Sequence, residues 1–202
     1  MVGPVRQTLR ETTAAAHQRL HTHPVLAPLT NSSLTVDQYR IALQALYGLH
    51  SAADSRLANR WPERPQRSLH LANDLQALGV APRTVPTFTD MTTYETPAAY
   101  LGGRYVMDGS YFGIRALASN VRRTLGLDTN TGGASFLDVS ELDTTSEWRK
   151  LLIWLEELNT QEERKRVQRA AELTFSEVGR WLDTFSCVHS TDPEVIDTAE
   201  KG

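Results

Sequence analysis

Three histidines crowd one short stretch of this chain: His17, His21 and His23. His17 and His21 are four residues apart, so a helix would place both on one face. A histidine in such a place is ordinarily structural or solvent-facing. A pair at this spacing could also hold a first-row metal ion, but no carboxylate or third histidine stands in register with it. A further use needs only one imidazole on a packed helix, as the axial ligand of a haem iron. Arg10 lies seven residues before His17, two turns along the same face, where a cation could pair with a haem propionate.

A second unusual feature is glycine where the pattern is otherwise helical. Gly102, Gly103, Gly109 and Gly113 all follow Pro97 in a segment expected to be helical as far as Leu125. Each glycine in a helix interior costs about 0.5–1 kcal/mol relative to alanine, so four give up roughly 2–4 kcal/mol. Two readings account for that loss. Small residues permit close helix packing, or a flat ligand lies directly against bare backbone with a kink opening room above it. Gly109 and Gly113, four apart, share a face.

The rest of the chain supplies a helical frame for these residues. Gln7–Thr22 carries no Pro or Gly and stops before His23-Pro24, where the residue preceding proline leaves helical geometry. Thr35 with Gln38 has capping-box spacing and opens a helix to about Asn59. A third helix covers Arg67–Leu78, with Gly79 placed to end it in the left-handed conformation. Val80–Tyr94 is a loop, and Thr96-Pro97 a cap followed by proline at the first helical position. Asp128–Leu142 is polar and glycine-bearing, a loop. Thr144 with Glu147 and Thr160 with Glu163 are two more capping boxes, opening helices through Leu158 and about Phe185. The run Glu162–Arg166 reads as a solvated helical face. Few strand-like alternations appear, which gives an all-α single-domain helical bundle over 1–185 with a flexible tail at 186–202.

Composition narrows the function classes. The 202 residues carry 21 Lys and Arg against 24 Asp and Glu, a net charge of -3, which disfavours a generic nucleic-acid binder. No apolar run reaches the roughly 20 residues of a membrane span, and no signal peptide is visible at Met1–Pro4, so the expected location is cytoplasmic. Cys187 is the only cysteine, which leaves no disulfide within the chain and no cysteine metal cluster. Phosphate-binding loop, zinc-protease, nucleophile-elbow and dinucleotide-binding motifs are all missing.

Four segments in order resemble the haem oxygenase family, nearest to its bacterial, phytochrome-associated branch. Leu9-Arg10-Glu11-Thr12 followed by His17 resembles the proximal helix. The segment from Arg104 through Tyr105, Asp108, Gly109, Ser110 and Gly113 to Ile114 resembles the glycine-rich distal helix. Arg67–Leu69 with Asp74–Gly79, and Ala170-Ala171 with Phe175 and Trp181-Leu182, are similar to two further segments. The resemblance is collinear from about Leu9 to Phe185 and implies a haem-oxygenase-like fold.

It also implies residue roles. His17 falls on the haem-iron ligand and Arg10 on a propionate contact. Arg149 or Lys150 falls on a second basic contact, Tyr105 on the haem-binding set and Phe175 on a pocket aromatic. Gly109 and Gly113 fall on glycines over the haem face, with Ser110 and Asp108 as candidates to hold distal water. The sequence departs from the family at several positions. Ile114 replaces a further glycine, Asp108 a glutamate, and Tyr111 and Phe112 smaller residues. Ser110 stands where mammalian-type enzymes have an aspartate, and His21 where many relatives have an acid that orients the proximal histidine.

The implied reaction is O2-dependent opening of haem to biliverdin, CO and Fe2+, with electrons from an external ferredoxin- or flavoprotein-type donor. A biliverdin-using phytochrome is the implied consumer of the product. Two alternatives stand beside it: a haem-binding or haem-sequestering protein without turnover, and a related helical scaffold without haem, since this architecture also carries thiamin-degrading and di-metal enzymes.

Overall fold

The computed structural model describes residues 3–59, 61, 66–138 and 144–186, and among these the chain is helical with no strand. Seven α-helices run in order: α1 Pro4–His21, α2 Val36–Leu57, α3 Arg67–Ala77, α4 Pro97–Gly109, α5 Tyr111–Leu125, α6 Thr144–Glu156 and α7 Gln161–Ser186. Expected ends recur at most of them. Thr35 and Gln38 cap each other reciprocally, Thr160 and Glu163 do the same, and Thr96 Oγ1 accepts from the Ala99 amide. Gly79 and Gly126 adopt the left-handed conformation that closes α3 and α5. The Glu162–Arg166 run is largely exposed, with Glu162 paired to Arg166. The tail beyond Ser186 and the Thr144 side chain lie outside the described residues.

Two elements differ from the sequence reading. Helix α1 begins at Pro4, with proline at its first position, rather than at Gln7. Its opening amides are met from afar: the Glu156 carboxylate of α6 accepts from the Arg6 amide at 3.1 Å and the Val5 amide at 3.4 Å. A side chain 150 residues distant supplies the cap that no neighbour provides. The stretch Pro97–Leu125 is also two helices, not one. At Ser110 the hydroxyl donates back to the Met107 carbonyl, and the Gly113 amide bonds the Ser110 carbonyl three residues earlier. Both bonds tighten the turn and divide the segment.

Two apolar clusters form the interior. The larger gathers α2, α3, α5, the 85–94 loop and the last turns of α7; the smaller gathers α1, α4, α6 and the first half of α7. Helix α7, 26 residues and so about 39 Å long, joins both. Helix α4 lies between them, with Val106 in the smaller and Met107 in the larger. Buried carboxylates pin the loops to this frame. Asp74 accepts from the Ser135 and Phe136 amides at 2.6 and 2.7 Å, seating a turn that buries Phe136 and Leu137 within the expected polar loop. Glu177 accepts from the amides and hydroxyls of Thr92 and Thr93.

Candidate functional site

Helix α1 presents two unlike faces. Val5 and Leu9 are buried in the cluster with α6 and α7, and Thr13 is buried as well, while Arg10, His17 and His21 are exposed. The His17 ring meets the buried Phe175 of α7 edge-on at 6.1 Å between centroids. Its Nε2 stands 3.3 Å from Nε2 of His21. Partial burial, with the His21 imidazole beside it, holds the His17 imidazole below its ordinary pKa, which favours the neutral, ligating form. His23 takes another part. Its Nε2 meets Asp183 of α7 at 3.1 Å and its Nδ1 accepts from the Val25 amide at 3.2 Å, fixing the turn after α1.

The four glycines of α4 and α5 divide into two kinds. A Cβ at Gly102 would stand 2.7 Å from the Ala171 backbone nitrogen, and one at Gly103 would stand 2.3 Å from Thr93 Cγ2. Those two permit close packing. At Gly109 a Cβ would only touch the Trp148 ring, at 3.4 Å, and at Gly113 nothing beyond its own chain neighbours and helix backbone lies within 4 Å. Packing leaves the second pair unexplained.

Around Gly109 the aromatic side chains form a wall. Tyr105 and Trp148 of α6 lie 5.7 Å apart, and Phe112, 57% exposed, meets Trp148 edge-on at 5.4 Å. Burial raises the Tyr105 phenol above its ordinary pKa, partly offset by Thr13, Arg6 and Arg10 of α1, which places this residue across from the basic face of α1. Tyr111 turns toward Arg67, whose guanidinium carbon is 5.3 Å from its ring, and Ile114 is buried in the larger cluster.

Asp108 and Ser110 have partners on the protein. The Asp108 carboxylate accepts from Arg104 Nε at 2.7 Å; Arg104, 1% exposed, also reaches Glu147 at 3.5 Å and lies 4.0 Å above the Trp61 ring. Burial opposes the charge of Arg104, and the facing Asp108 together with Tyr100 more than restores it, holding the guanidinium above its ordinary pKa. The Ser110 hydroxyl donates to Met107, leaving its oxygen able to accept. Arg149 and Lys150 are exposed on α6, and Lys150 pairs with Glu147 at 2.7 Å.

The structure thus joins His17 with Phe175, and Tyr105 with Thr13 of α1, within electrostatic reach of Arg6 and Arg10. Both α1 and α4 pack on α6 and α7. Sequence reading missed Trp148 and the Arg104–Asp108 pair. Opposite charges four apart in an otherwise apolar helix were a readable signal for the pair; nothing local marked Trp148. Among the described residues no group of three or more His, Cys, Asp or Glu could hold a metal, and no helix is long and apolar enough to cross a membrane.

A protein-family model described as heme oxygenase matches residues 4–184. No curated protein matches the chain. Among solved structures, heme oxygenase-1 from the cyanobacterium Synechocystis sp. PCC6803, in complex with heme, superposes with a TM-score of 0.70 at 16% identity, covering 92% of this chain and 94% of that one. The NO- and CO-bound heme oxygenase from Neisseria meningitidis gives 0.68 at 22% identity, covering 95% and 98%. A domain of unknown function with a heme oxygenase-like fold from Shewanella denitrificans gives 0.68 at 16%, covering 93% and 94%.

Proposed function

Because this chain belongs to the haem oxygenase family, we propose that it binds haem through His17, against the glycines at the α4–α5 junction, and opens it oxidatively with O2 and external electrons to biliverdin, CO and Fe2+. The observation that carries this reading is the bare backbone at Gly113. Gly113 is exposed and nothing beyond its own helix and chain neighbours lies within 4 Å of where a Cβ would stand, so a flat molecule can approach the backbone there. An accessible His17 imidazole, biased to the neutral form, and the exposed cation of Arg10 fit the other needs of haem, an iron ligand and a partner for a propionate.

When bound, haem supplies both the iron that activates O2 and the macrocycle that is oxidised. The chain's residues do the rest. His17 offers a neutral nitrogen, which gives less push toward O–O cleavage than a thiolate would. Arg10 holds one carboxylate, with Arg149 or Lys150 for a second, and Tyr105 and Phe175 line the pocket. Gly109 and Gly113 keep side chains away from the reacting edge. The Ser110 oxygen accepts from a water that delivers protons, while Asp108 steadies this turn through Arg104. The electron donor is of ferredoxin or flavoprotein type, the location cytoplasmic, and a phytochrome a consumer of the product.

Titration with hemin, followed by ascorbate under air, tests this. A Soret band that forms and then bleaches as biliverdin appears supports turnover. His17→Ala should lose the histidine-ligated ferric spectrum and regain it with added imidazole; if His21→Ala loses it instead, the ligand assignment fails. A second reading, haem held without turnover, draws on the Ser110 hydroxyl being turned to Met107 with no acid beside it in that turn except Asp108, which is paired. A stable oxy complex in the same experiment would select it.

A further inference from the structure

The contact between His17 and His21 has a use beyond haem. The two Nε2 atoms stand 3.3 Å apart, a long contact in which one imidazole can donate to the other when no ion is bound. With Zn–N bonds of about 2.0–2.1 Å, two ligands at the tetrahedral angle stand about 3.3–3.4 Å apart. The imidazoles are therefore already spaced as two ligands of one tetrahedral ion. Both side chains are exposed, so solvent can complete the coordination, and both belong to one continuous helix, which fixes their spacing. His23 is not a third ligand, because it is held by Asp183 and the Val25 amide.

We propose that His17 and His21 form a two-histidine site on the apoprotein for a borderline divalent cation such as Zn2+, and that this ion and haem exclude each other. Imidazole suits ions of this class, whereas Mg2+ prefers oxygen ligands in an octahedron. With two protein ligands the site is weaker than a closed four-ligand centre, so the ion can be displaced. Exclusion follows because the nitrogen that faces His21 cannot at once bind a haem iron. This second half rests on His17 being the haem ligand; the metal site itself does not.

Calorimetric titration of the full-length apoprotein with Zn2+ tests the site. Losing a second-shell partner already costs about 10–100-fold in metal affinity, so His17→Ala and His21→Ala should each weaken Zn2+ binding at least about tenfold. His21→Gln, close in size and helix propensity, serves where alanine disturbs α1. Hemin titrations then test exclusion. Zn2+ at ten times its Kd should raise the apparent hemin Kd about 11-fold in the parent protein, and the same concentration should raise it at most about twofold in His21→Ala. Mg2+ should leave it unchanged. Zn2+ affinity that survives either substitution overturns the site, as does an equal effect of Mg2+. Hemin affinity indifferent to Zn2+ overturns the exclusion. If hemin fails to bind even without Zn2+, the functional reading and the exclusion fall together, while calorimetry still decides the two-histidine site.

Discussion

The two ends of the glycine-rich stretch make opposite use of the same residue. At Gly102 and Gly103 the missing side chain is filled by a neighbour: α7 backbone on one side, Thr93 and Tyr94 on the other. At Gly109 and Gly113 the missing side chain leaves a ring contact in one case and open space in the other. Gly102 and Gly103 lie inside α4 and recover the helix penalty through packing, whereas Gly109 ends α4 and Gly113 sits in the first turn of α5, with no such packing to account for them. Between them lies the buried Arg104–Asp108 pair, the last firm tie before the chain divides at Ser110. A glycine whose space the fold leaves open points to something outside the fold.

The most forceful way to break this comparison is to loosen the tie between the two ends. Asp108→Ala leaves buried Arg104 with the more distant Glu147 as its remaining carboxylate, beside Tyr100 and the Trp61 ring, and stability should fall by about 3 kcal/mol, toward the lower end of what breaking a buried pair costs. Urea unfolding measures it; a loss under about 1 kcal/mol would mean the pair is not what anchors the end of α4. Next in size is the packed end. Gly102→Ala should cost about 1–3 kcal/mol, because its Cβ meets α7 backbone rather than a movable side chain. Gly113→Ala should act with the opposite sign, raising stability by about 0.5–1 kcal/mol, since a better helix former enters open space. Equal melting shifts in the two variants would erase the distinction. Smallest is Arg10→Ala, which should weaken hemin binding by about 0–1 kcal/mol as an exposed ion pair is lost. A changed ratio of biliverdin isomers would sharpen its role, and unchanged affinity with an unchanged ratio would count against it.

Much of this molecule was legible locally. Capping residues at Thr35, Thr96 and Thr160, and glycines at 79 and 126, act through neighbours within a few residues, and the helix ends they mark are where the structure has them. What escaped depends on residues far apart in the chain. The start of α1 is met by Glu156, and the fitting of Gly102 against Ala171 spans some seventy positions. Neither leaves a periodicity to read. The same holds for the site: the histidine pair and the glycine spacing stood out, but Trp148 beside Gly109 needed the packing of α6 on α4. Nor could spacing alone divide four glycines into two packed and two open. The division at Ser110 arises from a hydroxyl turned onto its own backbone, one of several conformations open to serine.

The central claim is that the open end of the stretch faces haem, and the Gly113→Leu variant tests it most directly when melting temperature and biliverdin yield are measured on the same preparation. The account predicts a melting temperature at or above that of the parent protein together with a collapse in biliverdin yield, as the new side chain fills the space above the macrocycle. A normal yield in Gly113→Leu, and likewise in Gly109→Leu, would contradict it.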